Sequence, residues 1–350
     1  MTNLEIKNQS PDGLVSELEL GDFKASWVGE YPLGNGVAFG GEDGRILLVN
    51  QDGTISGHAK ADTNEAINGL AFLPGWMGIS TRNEVQFVDV PRGECVPVPY
   101  GAHGVVVGPD EQFVSPLGTV GLLFFKPAKE EKLPVTIRRP RNATLNSYRA
   151  ILLKGPNGQN VVATATRKDG IAAMPFDSSN RGIHTLTYET FDAIDLCSLA
   201  PSSFAVAVLG KDGAIMMCRD VIEETLKKQA SVTTRFADIR GTAYRILNAK
   251  GTLVVLTSQA IFFLGDMATN FLLRKTGPVT MLEFPIKAID ANIVNEHWLM
   301  IVTSRGVLKM DLRKLNWGEE RENGFSHRLR QQANFLPAWQ GREVEQLVGV

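Results

Sequence analysis

Short apolar runs separated by polar turns fill this chain, and the turns come in pairs. A first turn rich in Gly, Pro or Asn is followed about eight to thirteen residues later by a second, with an apolar strand between them. The first turns are Gly34-Asn35, Pro74-Gly75, Pro109-Asp110, Pro156-Asn157, Pro201-Ser202, Lys250-Gly251 and Asn295-Glu296. The second turns are Asp43-Gly44, Arg82-Asn83, Leu117-Gly118, Asp169-Gly170, Asp212-Gly213, Ser258-Gln259 and Arg305-Gly306. Seven pairs result, spaced 35 to 52 residues apart. Asp-Gly and Arg-Gly supply the positive φ of tight hairpins, so each second turn joins antiparallel neighbours. The runs between the turns, such as Val161–Thr164, Val254–Thr257 and Leu299–Val302, are rich in β-branched residues and nearly unbroken in hydrophobicity. A further strand follows the second turn at Arg45–Asn50, Glu84–Val90, Ala214–Arg219, Ala260–Gly265 and Val307–Leu312. Unbroken apolar strands are covered on both faces, as stacked blades require. Strands this closely spaced leave no room for the helices of a doubly wound sheet.

The stretch Leu73–Val90 followed by Pro91-Arg92-Gly93-Glu94-Cys95 resembles a WD40 repeat, and Ala200–Ala214 through Cys218 resembles a second copy. The resemblance runs over roughly residues 24–315 as a pattern of turns and strands. The Trp-Asp dipeptide of the family is missing, its tryptophan position being filled by Val49, Val88, Cys218 and Leu264. The expected fold is therefore an all-β, seven-bladed propeller, with blades near 24–60, 66–100, 103–142, 147–188, 192–238, 241–284 and 286–315. The last blade lacks an outer strand after Leu312. Leu14–Leu20 alternates like a half-exposed strand and is expected to close the ring at about 14–20, which also removes an open sheet edge. Asp220 and Glu223 form a helix-start signature, so a short inserted helix is expected near 221–229. Residues 1–316 are read as the propeller and 317–350 as a C-terminal extension.

Composition narrows the function. Hydrophobic residues make up 43% and charged residues 21%, as in an ordinary globular protein, and 36 basic against 38 acidic residues leave a net charge of −2. That balance provides no global field toward nucleic acid or an anionic membrane, and no run approaches the length of a membrane span. Cys95, Cys197 and Cys218 are odd in number and widely spaced; they are read as small core residues in a reducing, cytoplasmic setting. The N-terminus lacks the basic start and apolar run of a signal peptide.

No catalytic or metal constellation stands out. His58, His103, His184, His297 and His327 share no ligand spacing. Gly34–Gly41 has GxGxxxG spacing with no helix after it, and is read as a turn and a strand. No cofactor is expected. The second turns of a propeller emerge on one face, which brings Arg82, Asn83, Arg167, Lys168, Lys211, Asp212 and Arg305 to a single rim, with Glu42, Asp43 and Asp169 beside them. The expected function is a non-enzymatic protein-binding scaffold or adaptor subunit that uses this rim. Two rivals stand beside it: an enzyme or small-ligand sensor working in the central channel, and a nucleic-acid-associated subunit using Arg138–Arg141. In the extension, Phe335, Leu336 and Trp339 form a candidate apolar anchor, docked on the propeller or on a partner.

Overall fold

The computed structural model describes residues 4–10, 12–127, 135–138, 147–155, 158–167, 170–175, 184–186, 191–221, 232–234, 239–275 and 279–315. They form seven antiparallel sheets, six of four strands and one of five. Blade one is Ala25–Tyr31, Gly36–Gly41, Arg45–Val49 and Ile55–Lys60, counted from the axis outward. Blades two to six repeat that plan, with inner strands at Gly69–Leu73, Val106–Val107, Ser147–Lys154, Ala193–Ser198 and Ala243–Ala249. Blade seven begins at Asp290–Val294 and continues through Trp298–Thr303 and Gly306–Asp311.

The ring is closed by the N-terminus, as expected. Val15–Glu19 pairs antiparallel with Gly306–Asp311, setting Val15 opposite Met310 and Leu18 opposite Val307. A second N-terminal strand, Glu5–Gln9, lies outside it and makes this sheet five-stranded. The inner of the two strands is buried and the outer is largely exposed. That difference explains why the alternation of Leu14–Leu20 was legible and the polar Glu5–Gln9 was not.

Each pair of neighbouring blades encloses its own hydrophobic cluster, seven in all. Blade six shows why the apolar runs are unbroken. Val254 and Leu256 face the cluster shared with blade seven, whereas Leu253 and Val255 face the one shared with blade five. Period-two alternation thus feeds two cores, and both faces need apolar side chains. Between blades two and three the core is aromatic, with Phe87 stacked on Phe125 at 4.1 Å between centroids. Where the second turns are Asp-Gly, the glycine takes positive φ, +81° at Gly44 and +78° at Gly213. A Cβ at Gly44 would lie 2.3 Å from the Thr63 carbonyl oxygen, so space and conformation both require glycine there.

Cys95 is not a core residue: it is exposed on the outer strand Glu94–Val98, because outer strands are covered by no fifth neighbour. Cys197 and Cys218 are buried as expected. Of the helix expected near 221–229 only Val221 is described, and the extension 317–350 lies outside the described residues. A short helix does occur at Met267–Leu272, after the third strand of blade six, where Met267, Ala268 and Phe271 pack into the cluster shared with blade five.

Candidate functional site

Propeller blades converge on the axis through their inner strands, so side chains near the start of those strands line one end of the central channel. Four consecutive blades place a charge at the same register there. Arg149 lies opposite Ala165, Asp195 opposite Leu209, Arg245 opposite Leu256 and Asp290 opposite Val302, each partner being the next-to-last residue of its second strand. A β-bulge just before Arg149, Asp195 and Arg245 shifts the register by one residue. The same bulge in blade one places Trp27 at this position. Bulges re-aim side chains in this way.

The signs alternate around the ring: Arg, Asp, Arg, Asp. Arg149 Nε lies 3.8 Å from Asp195 Oδ1, and Arg245 Nη1 lies 3.1 Å from Asp290 Oδ1. The two carboxylates also reach forward to the next blade. Asp195 Oδ2 accepts the backbone N–H of Ile246 at 2.8 Å, and Asp290 Oδ2 accepts that of Val28 at 3.3 Å. Neighbouring polar residues stitch the blades likewise. Ser26 Oγ donates to the Ile67 carbonyl, Asn68 Nδ2 to the Ala102 carbonyl and the Tyr244 hydroxyl to the Ala288 carbonyl. Burial dominates the electrostatics of the ring. It pushes the Asp195 carboxyl above its ordinary range against the pull of Arg149 and Arg245. Burial, and then repulsion from Arg245, lower the Arg149 guanidinium.

The channel encloses a cavity of about 940 Å³. Arg149, Asp195 and Arg245 line it together with apolar groups such as Trp27, Val105, Ile151, Ile246 and Ile293. At the opposite mouth Lys250 pairs with Glu296 at 3.3 Å, and Glu30, which also lines the cavity, is raised by burial.

No protein-family model and no curated protein matches the chain. Among solved structures it is similar to the β-propeller domain of Cps50 (Swd1) from Myceliophteria thermophila. The TM-score is 0.63 at 13% sequence identity, over 83% of this chain and 97% of that one. The chain is a seven-bladed β-propeller.

Antiparallel strand order puts the second turns of this propeller on the face where the inner strands begin. Backbone bonds confirm the proximity: Glu42 N–H donates to Lys24, Lys211 N–H to Asp192 and Ser258 N–H to Thr242, each linking a second turn to the segment before its own inner strand. Arg82, Asn83, Lys211, Asp212 and Arg305 are exposed, and Arg167 is half-buried with Nε 3.7 Å from Asp192. Several of these side chains have structural duties. Asn83 Nδ2 donates to Glu65, and Asp212 Oδ1 accepts the Ala214 N–H at 3.1 Å, folding its turn back on itself. Asp43 accepts from the Arg45 backbone and side chain in the same way. Lys168, Asp169 and the anchor residues Phe335, Leu336 and Trp339 lie outside the described residues. Of Arg138–Arg141, only Arg138 is described, at the end of the strand Val135–Arg138.

The ring of Arg149, Asp195, Arg245 and Asp290 escaped the reading of turns. Its signal is a charge early in an otherwise apolar inner strand: Tyr148-Arg149-Ala150-Ile151, Ile194-Asp195-Leu196-Cys197 and Tyr244-Arg245-Ile246-Leu247. Aligning inner strands, and not turns, exposes it. Among the described residues no group of three or more His, Cys, Asp or Glu is arranged to hold a metal ion, and no helix is long and apolar enough to cross a membrane.

Proposed function

We propose that this propeller is a non-enzymatic scaffold that docks one or more partner proteins on the face carrying its second turns. The observation that carries this reading is the exposure of Arg82, Lys211 and Arg305 on that face, on blades two, five and seven. Arg82 and Lys211 make no ion pair within the described residues, so their charges are available to a partly acidic partner. The similarity to a WD40-type propeller supports a scaffold by analogy of fold. The ionisable groups of the channel support it further, because the Asp195 and Asp290 carboxylates are engaged between blades.

The test is a four-site charge reversal, Arg82→Glu, Lys168→Glu, Lys211→Glu and Arg305→Glu, in the full chain. Surface substitutions of this kind shift stability by about 0.5 kcal/mol or less each, so folding is expected to persist. Partners that co-purify with the wild type from its host should be lost or bind with a slower, more salt-dependent on-rate. Undiminished recovery of the same partners by the folded variant overturns the rim as the docking face.

A further inference from the structure

Arg149 and Arg245 stand on the wall of one cavity, two blades apart, with only the Asp195 strand between them. Their donors are poorly matched by the protein. Arg245 is 7% exposed, and its Nε and Nη1 have no hydrogen-bond acceptor; Nη1 is near Asp290 but out of hydrogen-bond geometry. Arg149 Nε is 3.8 Å from Asp195 Oδ1, beyond hydrogen-bond length. A guanidinium carries five N–H donors in a planar fork, and a buried donor without an acceptor is costly. Each carboxylate gives one oxygen, Oδ2, to the backbone amide of Ile246 or Val28, so only its Oδ1 is left facing an arginine and the other guanidinium donors go unmatched. His103 is held below its ordinary range by burial, by Arg149 and by Arg167. The remaining wall is largely apolar, with Val105, Ala150, Ile151, Ile246 and Leu247 on it. The volume, about 940 Å³, falls in the size range of small-molecule sites.

We infer that the channel is a binding site for a small organic acid, whose carboxylate is taken by Arg149 and Arg245 and whose apolar body lies against the inner strands. Two carboxylate oxygens supply acceptors to guanidinium N–H groups at the cavity wall, and the anion lessens the repulsion between the two arginines. The site is separate from the rim: it uses inner-strand residues and no second-turn side chain.

Phenylacetate is the probe, with phenylacetamide as its neutral counterpart and inorganic phosphate as an anion without an apolar body. Each is titrated into the full chain at millimolar concentration, and binding is read by ligand-observed NMR. Phenylacetate should bind saturably, and the amide and phosphate at least about tenfold more weakly. Arg149→Met should weaken phenylacetate by about tenfold to a hundredfold, and so should Arg245→Met paired with Asp290→Asn, which avoids an orphaned carboxylate. Circular dichroism confirms that each variant is folded. Arg149→Lys serves as the folded comparison if Arg149→Met fails to fold, and should still lose affinity because the planar fork is gone. Absence of saturable phenylacetate binding, equal binding of the amide or of phosphate, or wild-type affinity in the folded variants overturns the inference.

Discussion

The carboxylate of Asp195, on the inner strand of blade five, accepts the backbone N–H of Ile246 on the inner strand of blade six at 2.8 Å. An inner strand beside the channel has no sheet neighbour on its axial side, so its amides there depend on side chains from the adjoining blade. Asp290 does the same for Val28 across the junction of blades seven and one. The arginines then neutralise the buried carboxylates.

The Arg245–Asp290 pair is therefore expected to be costly to break from one side only. Arg245→Met leaves the Asp290 carboxylate buried without its cation, which destabilises by about 3–5 kcal/mol. The double variant with Asp290→Asn keeps an acceptor for Val28 and removes both charges, and should recover most of that loss. Urea denaturation of the wild type, the single and the double variant checks it; equal losses in the single and the double variant would reject the pairing.

The closing strand and its outer neighbour should differ sharply in weight. Removing residues 1–10 takes away the exposed strand Glu5–Gln9 and should change stability by about 1 kcal/mol or less. Removing residues 1–20 also unpacks Leu14, Val15 and Leu18, each 6% exposed or less, at about 1.5–3 kcal/mol apiece. The melting temperatures of the two truncations, compared with the full chain, decide the matter.

Acid sensitivity should come in part from Asp311, at the end of the strand that receives the closure. The Arg313 side chain holds its carboxyl below the ordinary carboxylate range, through a contact of 2.8 Å to Nη2. A depressed folded value means that this contribution is present above the unfolded pKa, about 3.9, and is lost as pH falls through the lower folded value. Asp311→Asn should therefore be less stable than the wild type at neutral pH and should lose less stability on acidification. Denaturation midpoints between neutral pH and strong acid give the readout, and parallel curves would refute it.

Thiol labelling should separate the three cysteines. Cys95 is exposed, whereas Cys197 and Cys218 are buried and burial pushes the Cys197 thiol far up. Native protein should label at one site and unfolded protein at three. Cys95 itself should react slowly at neutral pH, because partial burial and the neighbouring Asp62 and Glu84 raise its thiol. Rapid native labelling of two or more thiols would contradict the burial.

The blades were legible in the sequence because turn chemistry and strand hydrophobicity are local properties. Asp43-Gly44 and Asp212-Gly213 need positive φ wherever they occur, and Val254–Thr257 is apolar on both faces whatever lies beside it. The missing outer strand of blade seven and the alternation of Leu14–Leu20 pointed to closure for the same reason. The charged ring belongs to the tertiary structure. Arg149, Asp195 and Arg245 each interrupt an apolar run, and only the arrangement of blades around an axis brings them onto one wall. The pairing of these residues with one another and with Asp290 is a relation across blades, aided by a bulge that moves Arg149, Asp195 and Arg245 by one position, and no single repeat contains it. The exposure of Cys95 was decided in the same way, since a strand's place at the inner or outer edge of its blade determines how many neighbours cover it.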